Sequence, residues 1–230
     1  MIEIDRIWAL VIAFLLVGLA WGIVLSLPPV FAAEIPLKAW TWNTTPLVCF
    51  VDLDEKQRVI AAVSIGLWNT QFERIWDDPK YLVGFRLENA THFDKDCTVL
   101  AYYLDNAWAY DIDESKYLVV NGVAGCPLAN AEDRICTLYV NTYNGTRDIE
   151  SVFRTTLHEL GHVWGLGHEK HNLSWELRNF PDGFTIMSSK PQNVPLGIHD
   201  GLADALKCKY PSGWGSKVVC KSWSFYWNVV

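Results

Sequence analysis

The chain has 230 residues, half of them hydrophobic, with a formal net charge of −7 and a pI near 5.3. That length supports one packed domain with small appendages, and the composition supplies its core. The acidic balance excludes a nucleic-acid binder, which needs a basic stripe to meet phosphates.

Taken in chain order, the first signal is apolar. Ile7 to Leu27 contains no charge and is stopped by Pro28-Pro29. Such a stretch is long enough to cross a bilayer as a helix, and a cut after Ala32 or Ala33 would suit a leader peptide. Residues 1–33 are therefore a signal peptide or a membrane anchor, and the remainder is exported, either secreted or held by one N-terminal helix. Residues 34–46, with Pro36, Pro46 and an Asn-Thr-Thr cluster, read as a linker; Trp40 and Trp42 would suit a membrane interface if the leader is retained.

The main domain is expected over 47–210. Leu47–Asp52, Val83–Leu87, Thr98–Leu104, Tyr117–Val123 and Cys136–Thr142 read as strands, rich in β-branched and aromatic residues. Glu55–Phe72 reads as a helix with Val59, Ile60, Val63, Leu67 and Trp68 on its inner side. A second helix starts at Thr146 or Asp148, with Asp148 and Glu150 at its positive end. Its apolar stripe is Ile149, Val152, Phe153, Leu157, Leu160, Val163 and Trp164, and Gly165 ends it where a left-handed residue is wanted. A third helix is expected from Asp200 to Tyr210, with Leu202, Ala205 and Leu206 facing inward. The fold class is mixed α/β (α+β). Residues 211–230 form an aromatic tail with Trp214, Trp223, Tyr226 and Trp227, read as core packing or a lid.

Six cysteines suit an exported chain, and the preferred pairing joins neighbours: Cys49–Cys97, Cys126–Cys136 and Cys208–Cys220. Asn43, Asn89, Asn144 and Asn172 each begin a glycosylation tripeptide.

The chemistry lies in the second helix. His158 and His162 are four residues apart, about 40° from one another around the helix axis, so both imidazoles can reach one metal. With Glu159 they make the pattern His-Glu-x-x-His, in which the two histidines bind zinc. The bend at Gly165 can bring His168 to the same point as a third ligand. Glu159 lies beside the metal, placed to take a proton from a zinc-bound water and pass it to a departing amine. His171 is excluded as a ligand because a catalytic zinc keeps an open position, and His92 and His199 have no partner at a recognisable spacing.

His158, Glu159, His162, Gly165 and His168, read as HELGHVWGLGH, resemble the signature of the metzincin clan of zinc endopeptidases. Thr185-Ile186-Met187-Ser188, with Met187 19 residues beyond His168, looks like the clan's methionine turn. The resemblance implies that Met187 forms an apolar floor beneath Zn2+ without ligating it. It also implies a five-stranded twisted sheet with one antiparallel strand, backed by two helices, with the third helix beyond. The order of elements is matrixin-like. Glu169, after the third histidine, is instead as in astacins, yet Ser189 stands where an astacin has its tyrosine, and no cysteine switch precedes the domain.

The implied activity is hydrolysis of peptide bonds in extended protein substrates, with a protein or peptide as partner and a monomeric enzyme. The alternative is a zinc-stabilised, exported binding or adhesion protein with weak or lost catalysis. The pairs Asp52/Asp54, Asp94/Asp96 and Asp111/Asp113 could hold Ca2+ by the same resemblance; they lack an EF-hand pattern, and solvated loop carboxylates are the preferred reading.

Overall fold

The computed structural model describes residues 30–89, 96–105, 108–111, 116–126, 135–143, 145–171, 185–188, 197–216, 220 and 222–228. The chain forms two compact units, one of residues 33–225 and one of 1–32 with 226–230. Only 30–32 and 226–228 of the latter are described, as strand ends, so the expected N-terminal helix lies outside the described residues. Among the described residues no helix is long and apolar enough to cross a membrane.

The core is a five-stranded sheet in the order Gly84–Glu88, Leu47–Val51, Val99–Leu104, Cys136–Asn141, Gly122–Gly125. Strands β2 (Leu47–Val51), β3 (Gly84–Glu88), β4 (Val99–Leu104) and β8 (Cys136–Asn141) run parallel, and β7 (Gly122–Gly125) pairs antiparallel with β8. Parallel neighbours require crossovers, and the first is α1 (Glu55–Trp76). Asp54 starts it with a reciprocal cap: its carboxylate accepts from Gln57 N–H at 2.8 Å, and Gln57 Oε1 accepts from Asp54 N–H at 3.0 Å. The helix runs one turn past the expected Phe72, because Phe72 and Trp76 stack on each other and both meet Trp214.

Its inner face matches the expected one at Ile60 and Trp68 and differs at Val59 and Val63. Ile60, Ala61, Ser64, Ile65, Trp68 and Phe72 are buried, whereas Val59 is 60% and Val63 46% exposed. Both stripes are apolar at helical spacing, and the larger aromatic one wins because Trp68 and Phe72 fill more volume against α2 (Ile149–Val163). Ile149 is exposed too, while Val152, Leu157, Leu160 and Val163 of α2 are buried as expected. Helix α3 (Asp200–Lys209) buries Leu202, Ala205 and Leu206, as read from its pattern.

The expected strand Tyr117–Val123 is two elements. Lys116–Val119 (β6) forms a hairpin with Trp108–Asp111 (β5), and the chain breaks at Asn121 before β7 takes its place at the sheet edge. At the break, Asn141 N–H donates to the backbone Asn121 O at 2.8 Å, tying that turn to the end of β8.

Residues 34–46 are bound to the domain surface and core. Strand β1 (Val30–Pro36) pairs Ala33 and Glu34 with His171 and Lys170 of β9 (Lys170–His171), Ile35 is fully buried, and the Trp42 indole donates to Val163 O at 2.8 Å. Strand β10 (Ser222–Asn228) carries most of the aromatic tail; Trp214, before it, joins buried Phe72, Trp164 and Tyr210 and half-buried Trp76 in one aromatic cluster.

The three expected disulfides are present, Cys49–Cys97, Cys126–Cys136 and Cys208–Cys220, with no free cysteine. They suit an oxidising environment such as the extracellular space. Cys49–Cys97 spans 48 residues, and on loop entropy such a bridge stabilises by about 4 kcal/mol. Asn43 and Asn89 are exposed, while Asn144 and Asn172 lie outside the described residues.

Candidate metal centre

Helix α2 is built to carry buried polar groups. Asp148 caps it, accepting from Ser151 N–H at 2.8 Å, and from Val152 onward almost every residue is enclosed. His158 and His162 are 4% and 7% exposed, on one side of the helix. Each donates through Nδ1: His158 to Ile186 O at 2.6 Å, and His162 to Leu166 O at 2.8 Å. A carbonyl can only accept, so both Nδ1 atoms carry the proton and both Nε2 lone pairs are free.

Gly165, at φ +94°, turns the chain back after α2, and His168 comes to the same point. Its Nε2 lies 3.2 Å from His158 Nε2 and 3.1 Å from His162 Nε2. Two neutral imidazoles with lone pairs facing a third nitrogen cannot all be satisfied by one shared proton. A cation among them resolves the conflict. Zinc–imidazole bonds of about 2.0–2.1 Å in a tetrahedron put nitrogens roughly 3.3 Å apart, which these separations match. Burial lowers the pKa of all three histidines, His158 to about 4, which keeps them neutral and ready to ligate. The donor set therefore fits a borderline-soft metal such as zinc.

No family model matches the chain, and no curated protein matches its sequence.

Glu159 faces the edge strand β7. It is 5% exposed, and Ala124 N–H of β7 donates to its carboxylate. Burial raises its pKa to about 8, against the opposing pull of Lys38 and that hydrogen bond. Gly122 makes the fit possible. A Cβ there would meet Glu159 Cγ and Oε1 and Thr155 Cγ2 at 2.7 Å. The Asn-Gly pair at 121–122 signals a turn in the sequence, but nothing in it indicates that the glycine faces a carboxylate.

Met187 is fully buried and packs on α2 at Gly161, where any side chain would collide with its sulfur. The turn that carries it is held by Glu169. The Glu169 carboxylate accepts from Thr185 N–H and Oγ1–H, both at 2.7 Å, and Glu169 N–H donates to Met187 O at 2.8 Å. Because Ile186 O orients His158, the residue after the third ligand thereby braces the first. Glu169→Ala should leave buried donors on Thr185 unmet and destabilise the protein by about 1–3 kcal/mol. Denaturant melts of the variant would show it, together with a faster loss of metal to a chelator.

Among the described residues, one other group could hold a metal, Cys49, Glu88 and Cys97, but its cysteines are bonded to each other. Of the acidic pairs, Asp54 is committed to capping α1, and Asp94 and Asp113 lie outside the described residues. His199 caps α3, its Nδ1 accepting from Gly201 N–H at 2.9 Å. His171 is described only as backbone of β9, and His92 and Ser189 not at all.

Proposed function

We propose that this protein is a zinc-dependent endopeptidase of metzincin type, matrixin-like in its order of elements, acting on extended protein or peptide substrates outside the cell. The observation that carries the reading is the convergence of three Nε2 atoms beside a buried carboxylate under a sheet edge. When bound, zinc at His158, His162 and His168 would acidify a water at its open position and polarise the scissile carbonyl. Glu159 takes the proton of the attacking water and delivers it to the departing amine. The dication also favours the ionised carboxylate, offsetting the burial that raises its pKa.

The edge strand supports an extended substrate. One side of β7 pairs with β8, and its other side can receive a peptide backbone as an added strand. Met187 serves as the apolar floor of the site, and Gly161 gives it room. A zinc-stabilised binding protein has no need of a carboxylate enclosed at Glu159, since burying one costs stability. The test is turnover of a generic quenched peptide that a chelator blocks and added zinc restores. A zinc-loaded, folded chain without turnover on a broad peptide library would leave the binding-protein reading standing instead.

A further inference from the structure

The loop that bears the third histidine is held from outside by the segment that follows the leader. Residues 33–42 run antiparallel along residues 163–171, which include the Gly165 bend and His168. Ala33 and Glu34 pair with His171 and Lys170, and Leu37 bridges Leu166. Gly167 N–H donates to Pro36 O at 2.6 Å, and Lys38 N–H donates to Gly165 O at 2.8 Å. These bonds bracket Leu166, whose carbonyl accepts from His162 Nδ1–H at 2.8 Å. The Trp42 indole closes the far end of the strap on Val163 O.

A buried cation fastens the strap. Lys209, the last residue of α3, is fully enclosed, and its ammonium donates to Lys38 O at 2.6 Å. Among the described residues no carboxylate forms an ion pair with it. Its stem occupies the space beside Gly165, where any Cβ would collide with Lys209 Cε. Helix α3, the strap and the metal loop thus meet at Lys209. An enclosed ammonium is costly to desolvate, and apolar packing would join these elements more cheaply. What the ammonium adds is a strong, directional bond to one carbonyl.

We propose that Lys209 is a positioning residue of the metal centre, acting by latching residues 36–38 onto the loop that carries Leu166 and His168. This rests on the zinc site of the endopeptidase reading and deepens it by naming what sets metal affinity. With the latch closed, His162 and His168 are ordered before metal arrives. With it open, binding must also order the loop, which weakens it. The strap is then part of the metal centre: a leader cut after Ala32 or Ala33 keeps it, and a cut beyond Lys38 loses it.

The test uses the full chain, zinc and cobalt(II) as probes, and two variants that open the latch from opposite sides. Lys209→Met keeps most of the stem and removes the donor. Lys38→Pro, at an exposed position, removes the N–H bonded to Gly165 O. Each should weaken zinc Kd by roughly tenfold and change the visible spectrum of the cobalt form. In Lys209→Met the metal-free melting temperature should stay close to that of wild type, and the Gly167 amide should exchange faster. Lys56→Met, at an exposed lysine of α1, should change none of these. An unchanged zinc Kd and cobalt spectrum in Lys209→Met overturns the proposal, whether or not the melting temperature falls, and leaves the zinc site standing. If Lys209→Met does not fold, Lys38→Pro decides by the same Kd and spectrum. A wild-type chain that binds neither metal overturns the zinc reading and this proposal together.

Discussion

Glu159→Gln should abolish peptide cleavage while leaving the metal in place. The amide keeps the shape of the side chain and can still accept from Ala124 N–H, so neither α2 nor the three imidazoles need move. What it loses is the ability to take a proton. General-base groups contribute about 10²–10⁴ in rate; because this one would act on both the water and the leaving amine, a loss at the upper end is expected. The measurement pairs kcat/KM on a quenched peptide with metal content per chain. Full zinc content and a loss of more than about 10³-fold would fit the assigned role. Undiminished cleavage would sink it.

The second large effect is on stability. Zinc binds the folded site and has no such site in the unfolded chain, so it should raise the melting temperature as its free concentration rises. At a thousand times Kd the gain is about 4 kcal/mol; at this length that is a shift of about 8–16 °C. His168→Ala is the informative variant. His168 is exposed, so its removal opens no core cavity, yet it deletes the nitrogen that lies 3.2 and 3.1 Å from the other two. Its melting temperature without metal should stay close to that of the metal-free wild type, and most of the zinc-dependent rise should vanish. An equal rise in the variant would mean that the metal sits elsewhere.

Some parts of this protein were legible in one dimension and others were not. The strands β2, β3, β4 and β8 and helices α2 and α3 follow from period and caps, because each carries its own start signal and apolar face. The disulfides were legible because neighbouring cysteines close short or simple loops. Helix α1 shows where this stops. Val59 and Val63 fit the helical period as well as Ile60 and Trp68 do, and only the neighbours of a helix select which stripe is enclosed. The segment 34–46 has a linker's composition, yet Ile35 and Trp42 are buried, because α2 and the loop after it offer Val163 O and Leu166 as partners.

The candidate site divides along the same line. His158, Glu159, His162, Gly165 and His168 are close in sequence, so helix geometry and one left-handed turn suffice to bring the histidines together from the sequence alone. The same local reasoning reached Met187 only through resemblance. The supports of the site are long-range and could not be read that way. Ile186 O holds His158, Ala124 N–H holds Glu159, Glu169 holds Thr185, and Lys209 holds Lys38 across the fold. All four of these partnerships use a backbone group, which every residue type offers alike, so no residue identity announces them in advance. Spacing along the chain named the groups that would hold the metal and move the proton; packing of β7, the methionine turn and residues 36–42 around α2 chose their tautomers, burial and neighbours.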